Sequence, residues 1–208
     1  MSLCCNRWRT IGWMSCTARL LTCRTQNYLI SSLKTGKSIV LDDDQLAKIK
    51  NLDGVASFSK VIEEQVLVNF EDKTEGVLLK GVDENYPNST IDSVLYRGNW
   101  CAQNSNEIVA GIGVSNNLSF GILDYAKSLT IYVPKPGKGQ GSSRTSYFNS
   151  EVVTNVGLFN VNENLDNEYV FSNIELARSL LNYKPTQISA VEFKLNSEAD
   201  ENAIRNSI

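Results

Sequence analysis

The stretch that decides the fold runs Glu107-Ile-Val-Ala-Gly111-Ile-Gly113-Val-Ser-Asn-Asn-Leu118-Ser-Phe120-Gly121. Four strand-forming residues, 107–110, lead through Gly111 and Gly113 into a short helix expected over 114–120. Next comes Ser128-Leu-Thr-Ile-Tyr-Val133, in which polar and apolar residues alternate and β-branched types are common, the pattern of a half-buried strand. A loop over 134–146 then holds three glycines, two prolines, Lys135, Lys138 and Arg144, and no carboxylate. The surrounding chain reads as scaffold that places this loop.

Outward from that stretch, β-prone runs at 28–31 and 38–41 flank Lys34-Thr-Gly-Lys37 and are expected to form a two-stranded turn. Residue 31 is Ser, so the upstream glycine of a phosphate-binding loop is missing. A helix is expected over 42–52, with Asp42, Asp43 and Asp44 in its first turn complementing the helix dipole. Residues 61–70 and 76–82 read as an antiparallel pair joined by a turn at 71–75. The segment 83–106 reads as irregular, packed down by Tyr86, Tyr96 and Trp100, with Cys101 a small buried hydrophobe. Strand character returns over 148–161, with a bend at Gly157. A turn at 162–167 and a strand at 169–171 follow. Asn173 is placed to cap a helix over 174–181. Residues 189–195 alternate as a strand, and Ser197 stands before a last helical run, 198–208. The order β-α-β-β, a β-rich middle, then β-α gives an α+β protein with two subdomains, the middle one inserted in the first.

Composition narrows the chemistry. There is no histidine among the 208 residues, which excludes Ser-His-Asp and Cys-His catalysis and any His-ligated zinc site. The net charge is −3. The first 41 residues carry six bases and no acid, leaving 14 bases against 23 acids over 42–208, a net of −9. An acidic body argues against nucleic acid as a partner. Four of the five cysteines fall at positions 4–23, where Cys16 and Cys23 lack a usual zinc spacing. Residues 1–27 show no clean period and read as an atypical leader, with no apolar run long enough to span a bilayer. Adjacent carboxylates at Glu63/Glu64 and Asp83/Glu84 point to opposite faces of an extended chain and so are badly placed for paired acid–base work. Gly111-x-Gly113 would need glycine at 116 to complete a dinucleotide fingerprint, and 116 is Asn. No enzyme, no cofactor and no metal are therefore expected.

At the 107–118 segment, at Leu129-Thr-Ile-Tyr-Val-Pro134, at Val156-Gly-Leu-Phe159, at Asp166-Asn-Glu-Tyr-Val-Phe171 and at Ile174-Glu-Leu-Ala-Arg-Ser-Leu-Leu181, the chain resembles the extracytoplasmic (MacB-like core) domain of FtsX-like ABC-transporter permeases. That group includes the lipoprotein-releasing LolC/LolE subunits and MacB, and the resemblance covers about residues 28–208. It implies a split α/β porter-like lobe over 28–95 and 189–208, with an inserted β-rich sabre-like lobe over 96–188. It also implies a place on the periplasmic face of the bacterial inner membrane. The partners implied are an ATP-binding cassette subunit and a partner permease, reached through membrane helices absent from this chain, and a lipoprotein or its periplasmic carrier. The loop after the Val-Pro strand would be the contact, with Pro134, Lys135, Lys138, Arg144 and Tyr147 as its residues. Lipoprotein release is the first expectation. MacB-type efflux, mechanotransmission to wall enzymes, and a non-catalytic ligand-binding β module are the alternatives.

Overall fold

The computed structural model describes residues 28–32, 38–40, 54–125, 127–135 and 147–195. The expected leader, the helix at 42–52 and the last helical run at 198–208 lie outside them. The elements in chain order are β1 (Tyr28–Ser32), β2 (Ile39–Val40), β3 (Val55–Phe70), β4 (Lys73–Val82), α1 (Asn88–Val94), β5 (Leu95–Gly98), β6 (Glu107–Gly111), α2 (Ile112–Leu118), β7 (Leu129–Pro134), β8 (Phe148–Phe159), α3 (Glu163–Glu168), β9 (Tyr169–Asn173), α4 (Ile174–Leu181), β10 (Gln187–Ile188) and β11 (Ala190–Leu195). The protein is α+β.

Nine strands share one mixed sheet, in the order β1-β11-β3-β4-β9-β6-β8-β5, and β7 pairs with both β3 and β8. That last pairing closes a ring. β3 bonds β4, β4 bonds β9, β9 bonds β6, β6 bonds β8, β8 bonds β7, and β7 returns to β3. Two of these ladders, β4–β9 and β6–β8, are parallel. Ladders run across the expected lobe boundary at β4–β9 and β3–β7. Closure removes open edges from these strands and encloses a core.

Alternation fills that core. Val66, Val68 and Phe70 of β3, Leu129, Ile131 and Val133 of β7, and Val77 and Leu79 of β4 are all buried in it. Two helices cover its ends. α4 leaves β9 at one end; α2 leaves β6, which runs antiparallel to β9, at the other. α4 crosses from β4 to β8. A Cβ on Gly81 would stand 2.5 Å from the Ala177 Cβ, and the Asn149 side-chain amide donates to the Leu180 carbonyl at 2.8 Å. α2 ends beside Phe120, whose ring meets Phe70 edge-on at 5.7 Å. Lys73 Nζ donates to the Asn117 carbonyl and to Ser119 Oγ.

Asn173 caps α4 as the sequence implied, accepting from the Leu176 N–H at 2.9 Å. Its amide group also donates to the Ala102 and Ser105 carbonyls, which fixes the loop before β6. The 107–110 strand and its helix form with boundaries moved by one or two residues, because Gly111 keeps extended backbone and the helix begins at Ile112. The bend at Gly157 is an irregularity of the β6–β8 ladder, where the partners step from Asn155 to Gly157. The Asn155 side chain accepts from the Ala110 N–H there.

Four expectations are corrected. β1 and β2 do not pair with each other; β1 lies antiparallel to β11 and β2 to β10. The chain turns between β3 and β4 through Glu71-Asp72, with Glu71 at φ 54, so the turn is tighter than 71–75. The segment 83–106 contains α1 and β5, and Tyr96 is 63% exposed rather than packed down. Residues 162–167 are not a plain turn. Asn162 caps α3 by accepting from the Leu165 N–H at 3.1 Å, a capping pattern that reads as turn chemistry when viewed locally.

The outer face of β3, β4 and β9 carries a second core of Val61, Val82, Tyr86, Cys101, Val109, Phe159, Tyr169 and Phe171. Trp100 stacks on Tyr86, and Phe159 meets Phe171 edge-on at 5.1 Å. Inside this apolar layer lies an ion pair. Lys80 Nζ donates to Glu192 Oε1 at 2.6 Å, with the two side chains 1% and 3% exposed. The ammonium also stands 5.7 Å from the Tyr86 ring centre and 5.8 Å from that of Phe171. The pair joins β4 to β11, two strands that are not neighbours but both flank β3. Nearby, Ser59 donates to Asp83 at 2.7 Å.

Breaking a buried pair strands the surviving charge. Lys80→Met is therefore expected to lower unfolding free energy by about 3–5 kcal/mol. The double variant Lys80→Met/Glu192→Leu should recover most of that loss. Urea unfolding of the three proteins decides it; a double variant as unstable as the single one would show that the charges themselves do not carry the cost. Cys101 is a buried free thiol, as expected, and burial pushes its pKa up to about 12 from an ordinary value of 9.0. Between those values the folded state keeps a proton the unfolded chain has lost, so stability falls as pH rises through that window. In native protein at pH 8, peptide mass mapping should find Cys101 unmodified by iodoacetamide and alkylated once urea is added.

Candidate functional site

β7 and β8 run antiparallel from Leu129↔Val153 to Pro134↔Phe148. The Lys135 N–H donates to the Tyr147 carbonyl at 2.8 Å, one rung beyond the last strand pair. This hairpin holds the base of the loop chosen from sequence. Pro134, Lys135 and Tyr147 come together there, on the surface, with Tyr147 40% exposed. Lys138 and Arg144 lie outside the described residues. The hairpin is rigid below this point: Val133 and Ile131 are buried in the ring, and on the opposite face the Tyr132 and Phe148 rings meet edge-on at 6.3 Å.

Beside the loop base a groove of about 690 Å³ opens between β3, the end of β7 and the C-terminal end of α4. Pro134 and Lys135 form part of its rim, with Glu64, Gln65 and Leu67 of β3 opposite; Leu181 and Tyr183 come from the α4 side. Sequence reading found the Pro134 side of this groove and missed the β3 side. The missed side had one usable signal: in the continued β3–β7 register Pro134 falls opposite Gln65, and a proline cannot donate to a partner strand.

The pairing that makes this geometry can be followed rung by rung. One edge of β3 is taken by β4 from Val61 to Phe70. The other edge is taken by β11 up to Val61↔Ala190 and by β7 from Leu67↔Tyr132 onward. Ser189 fills part of the gap between them. Its N–H donates to the Val61 carbonyl, and its hydroxyl accepts from the Glu63 N–H at 3.1 Å. Odd-numbered β3 residues thus turn their backbone groups toward this edge, and Gln65 is the next one along.

The other candidate chemistry does not assemble. Glu63 lies within reach of the Tyr169 hydroxyl at 3.4 Å, on the second-core side, while Glu64 faces the groove. Asp83 is buried and accepts from Ser59 and from the Asn85 N–H, whereas Glu84 is exposed. Neither carboxylate pair converges. Among the described residues no group of three or more Cys, Asp or Glu side chains is placed to hold a metal ion. Gly111 and Gly113 serve packing: a Cβ at Gly111 would sit 2.2 Å from the Asp166 carbonyl oxygen, and one at Gly113 would sit 2.0 Å from Asn167 Oδ1. Farther along the hairpin side, Lys127 pairs with Glu71 at 2.8 Å, and that carboxylate raises the lysine pKa.

No protein-family model matches this chain, and no curated protein matches it. Solved structures do. The fold is similar to the extracellular domain of the noncanonic ABC-type transporter YknZ from Gram-positive bacteria, with a TM-score of 0.55 and 10% identity over 87% of each chain. It is also similar to the periplasmic region of MacB from Actinobacillus actinomycetemcomitans, with a TM-score of 0.57 and 11% identity over 88% of this chain and 80% of that one. What is shared at such low identity is the fold: an α+β arrangement found in the extracytoplasmic domains of ABC-transporter permeases.

Proposed function

We propose that this chain is the extracytoplasmic domain of an ABC-transporter permease. It works outside the bacterial inner membrane as a non-catalytic module that contacts a protein partner and is coupled to a separate ATP-binding cassette subunit. The observation that carries this reading is the likeness, over 87–88% of the chain, to two such domains. The contact is the loop based on Pro134, Lys135 and Tyr147, with Lys138 and Arg144 supplying further positive charge. Three bases and no acid over 134–146 stand out on a body of net charge −9. Such a patch attracts an acidic carrier and speeds encounter more than it strengthens the complex. No helix among the described residues is long and apolar enough to cross a membrane.

Lipoprotein release is the finer reading for the parent transporter. MacB-type efflux or mechanotransmission is the second, favoured by the presence of MacB among the structural neighbours. The two readings differ in what the loop should capture: an acylated protein or its carrier in the first, an adaptor or wall-enzyme activator in the second.

A photo-crosslinking residue at Tyr147, in the full chain exported to the periplasm, tests the contact. Capture of an acidic carrier or a lipoprotein is expected. Replacing Lys135, Lys138 and Arg144 by Glu should slow its association by about tenfold or more at low salt. An unchanged association rate rejects the loop as the contact. Turnover of any substrate in a broad hydrolase screen would overturn the non-catalytic part of the proposal.

A further inference from the structure

We propose that β1 is an exchangeable strand: it leaves β11 while the rest of the sheet stays folded, and the β11 edge it uncovers takes β1 of a second copy of this chain. This goes beyond the transporter reading and does not rest on it.

Among the described residues β1 stands at one end of the sheet, and its one ladder is the five rungs from Tyr28↔Lys194 to Ser32↔Ala190. It is not paired with β2, its neighbour in sequence, which lies against β10. β11 is held by more. Its other edge is laddered to β3 from Ala190↔Val61 to Leu195↔Val55. Ser189, just before it, donates its N–H to the Val61 carbonyl, and its hydroxyl bonds the Glu63 backbone. Glu192 is tied across β3 to Lys80 by the buried ion pair. None of these bonds involves β1. When β1 leaves, β11 therefore keeps its place and becomes an open strand edge.

Backbone direction tells which groups are uncovered. Val61 turns its carbonyl toward β11, while the Lys60 carbonyl accepts from the Asp83 N–H at the end of β4. In the β3–β11 register Ala190 and Glu192 stand opposite Val61 and Ser59, so their backbone groups point to β3. Those of Val191 and Phe193 point the other way, to Ser31 and Leu29 of β1. The segment whose register matches this edge is Tyr28-Leu-Ile-Ser-Ser32, and every copy of the chain carries it. Exchange of this strand between two copies remakes each β1–β11 bond of the monomer, so a dimer forms without a new kind of contact.

Residue-resolved hydrogen exchange on the unaltered full chain reads the opening, in reducing buffer because of the five cysteines. The Val191 and Phe193 amides should exchange at least about tenfold faster than those of Ala190 and Glu192, which follow the β3 amides. Uniform protection along β11 overturns the proposal. A concentrated sample, warmed below its unfolding transition and cooled, should convert in part to dimer, seen by size exclusion with light scattering. A large excess of a synthetic peptide of residues 26–34 should cap the β11 edge and lower the dimer fraction by about tenfold. Ser31→Pro removes the N–H that reaches Val191 and should leave the chain monomeric. A wild-type chain that forms no dimer overturns the proposal, as does a dimer that survives Ser31→Pro or ignores the peptide. The exchange and peptide readings use unaltered protein and decide the matter whether or not the variant folds.

Discussion

β3 has sixteen residues and two edges, and the rest of the structure is arranged to satisfy both. β4 lies along one edge for ten residues. The opposite edge is divided between β11 and β7, which approach from different parts of the chain. Each of those pairings fixes something distant. β11 brings Glu192 over the apolar layer where Lys80 meets it. β7 closes the ring and carries the loop. A strand with so much buried backbone cannot slip by one residue, since its whole buried set would turn to the wrong face.

The two cores on either side of β3 differ in kind. The ring interior is mainly aliphatic, with Phe70 and Phe120 near one end, is closed at its ends by α2 and α4, and contains no ion pair among the described residues. The outer core is aromatic and encloses the Lys80–Glu192 pair. Burying two charges gains little net stability, but the geometry that lets Lys80 meet Glu192 Oε1 is narrow. The pair therefore fixes how β4 and β11 lie about β3, where apolar contacts alone would allow several offsets. Asn173 acts similarly on a smaller scale, since one side chain both starts α4 and holds the 102–105 loop.

Local signals were legible and long-range ones were not. The alternation in 129–133, the cap at Asn173 and the length of α4 follow from neighbouring residues, and each was readable. The glycines at 111 and 113 were readable as a turn, but their partner, the α3 backbone, lies more than fifty positions away. The tightness of the β3–β4 turn was obscured because Lys73 and Thr74 look like turn residues yet continue the strand. The partners of β1 and β2 were misread because adjacency in sequence favours a hairpin, whereas β11 offers β1 five rungs. At the candidate site, Pro134 and Lys135 were visible as loop chemistry. Gln65 and Leu67 were not, since nothing in 61–70 announces that its second edge is shared between two strands. Residues 136–146, the most distinctive in composition, had no periodicity from which a conformation could be read.

The antiparallel pairing of β1 with β11 has a mechanical consequence. Tyr28 lies opposite Lys194, so the incoming chain and the outgoing chain meet at the same end of one ladder. A load pulling those two points apart acts on the outermost rung alone, then on the next, as in opening a zipper. Peeling requires far less force than shearing a ladder along its length, where all rungs resist together. The interior sheet, held by ring closure, stays shielded while this outer ladder yields. The fold thus places a ladder that can open rung by rung where the chain enters and leaves the sheet, outside the ring of strands that carries the β7–β8 hairpin.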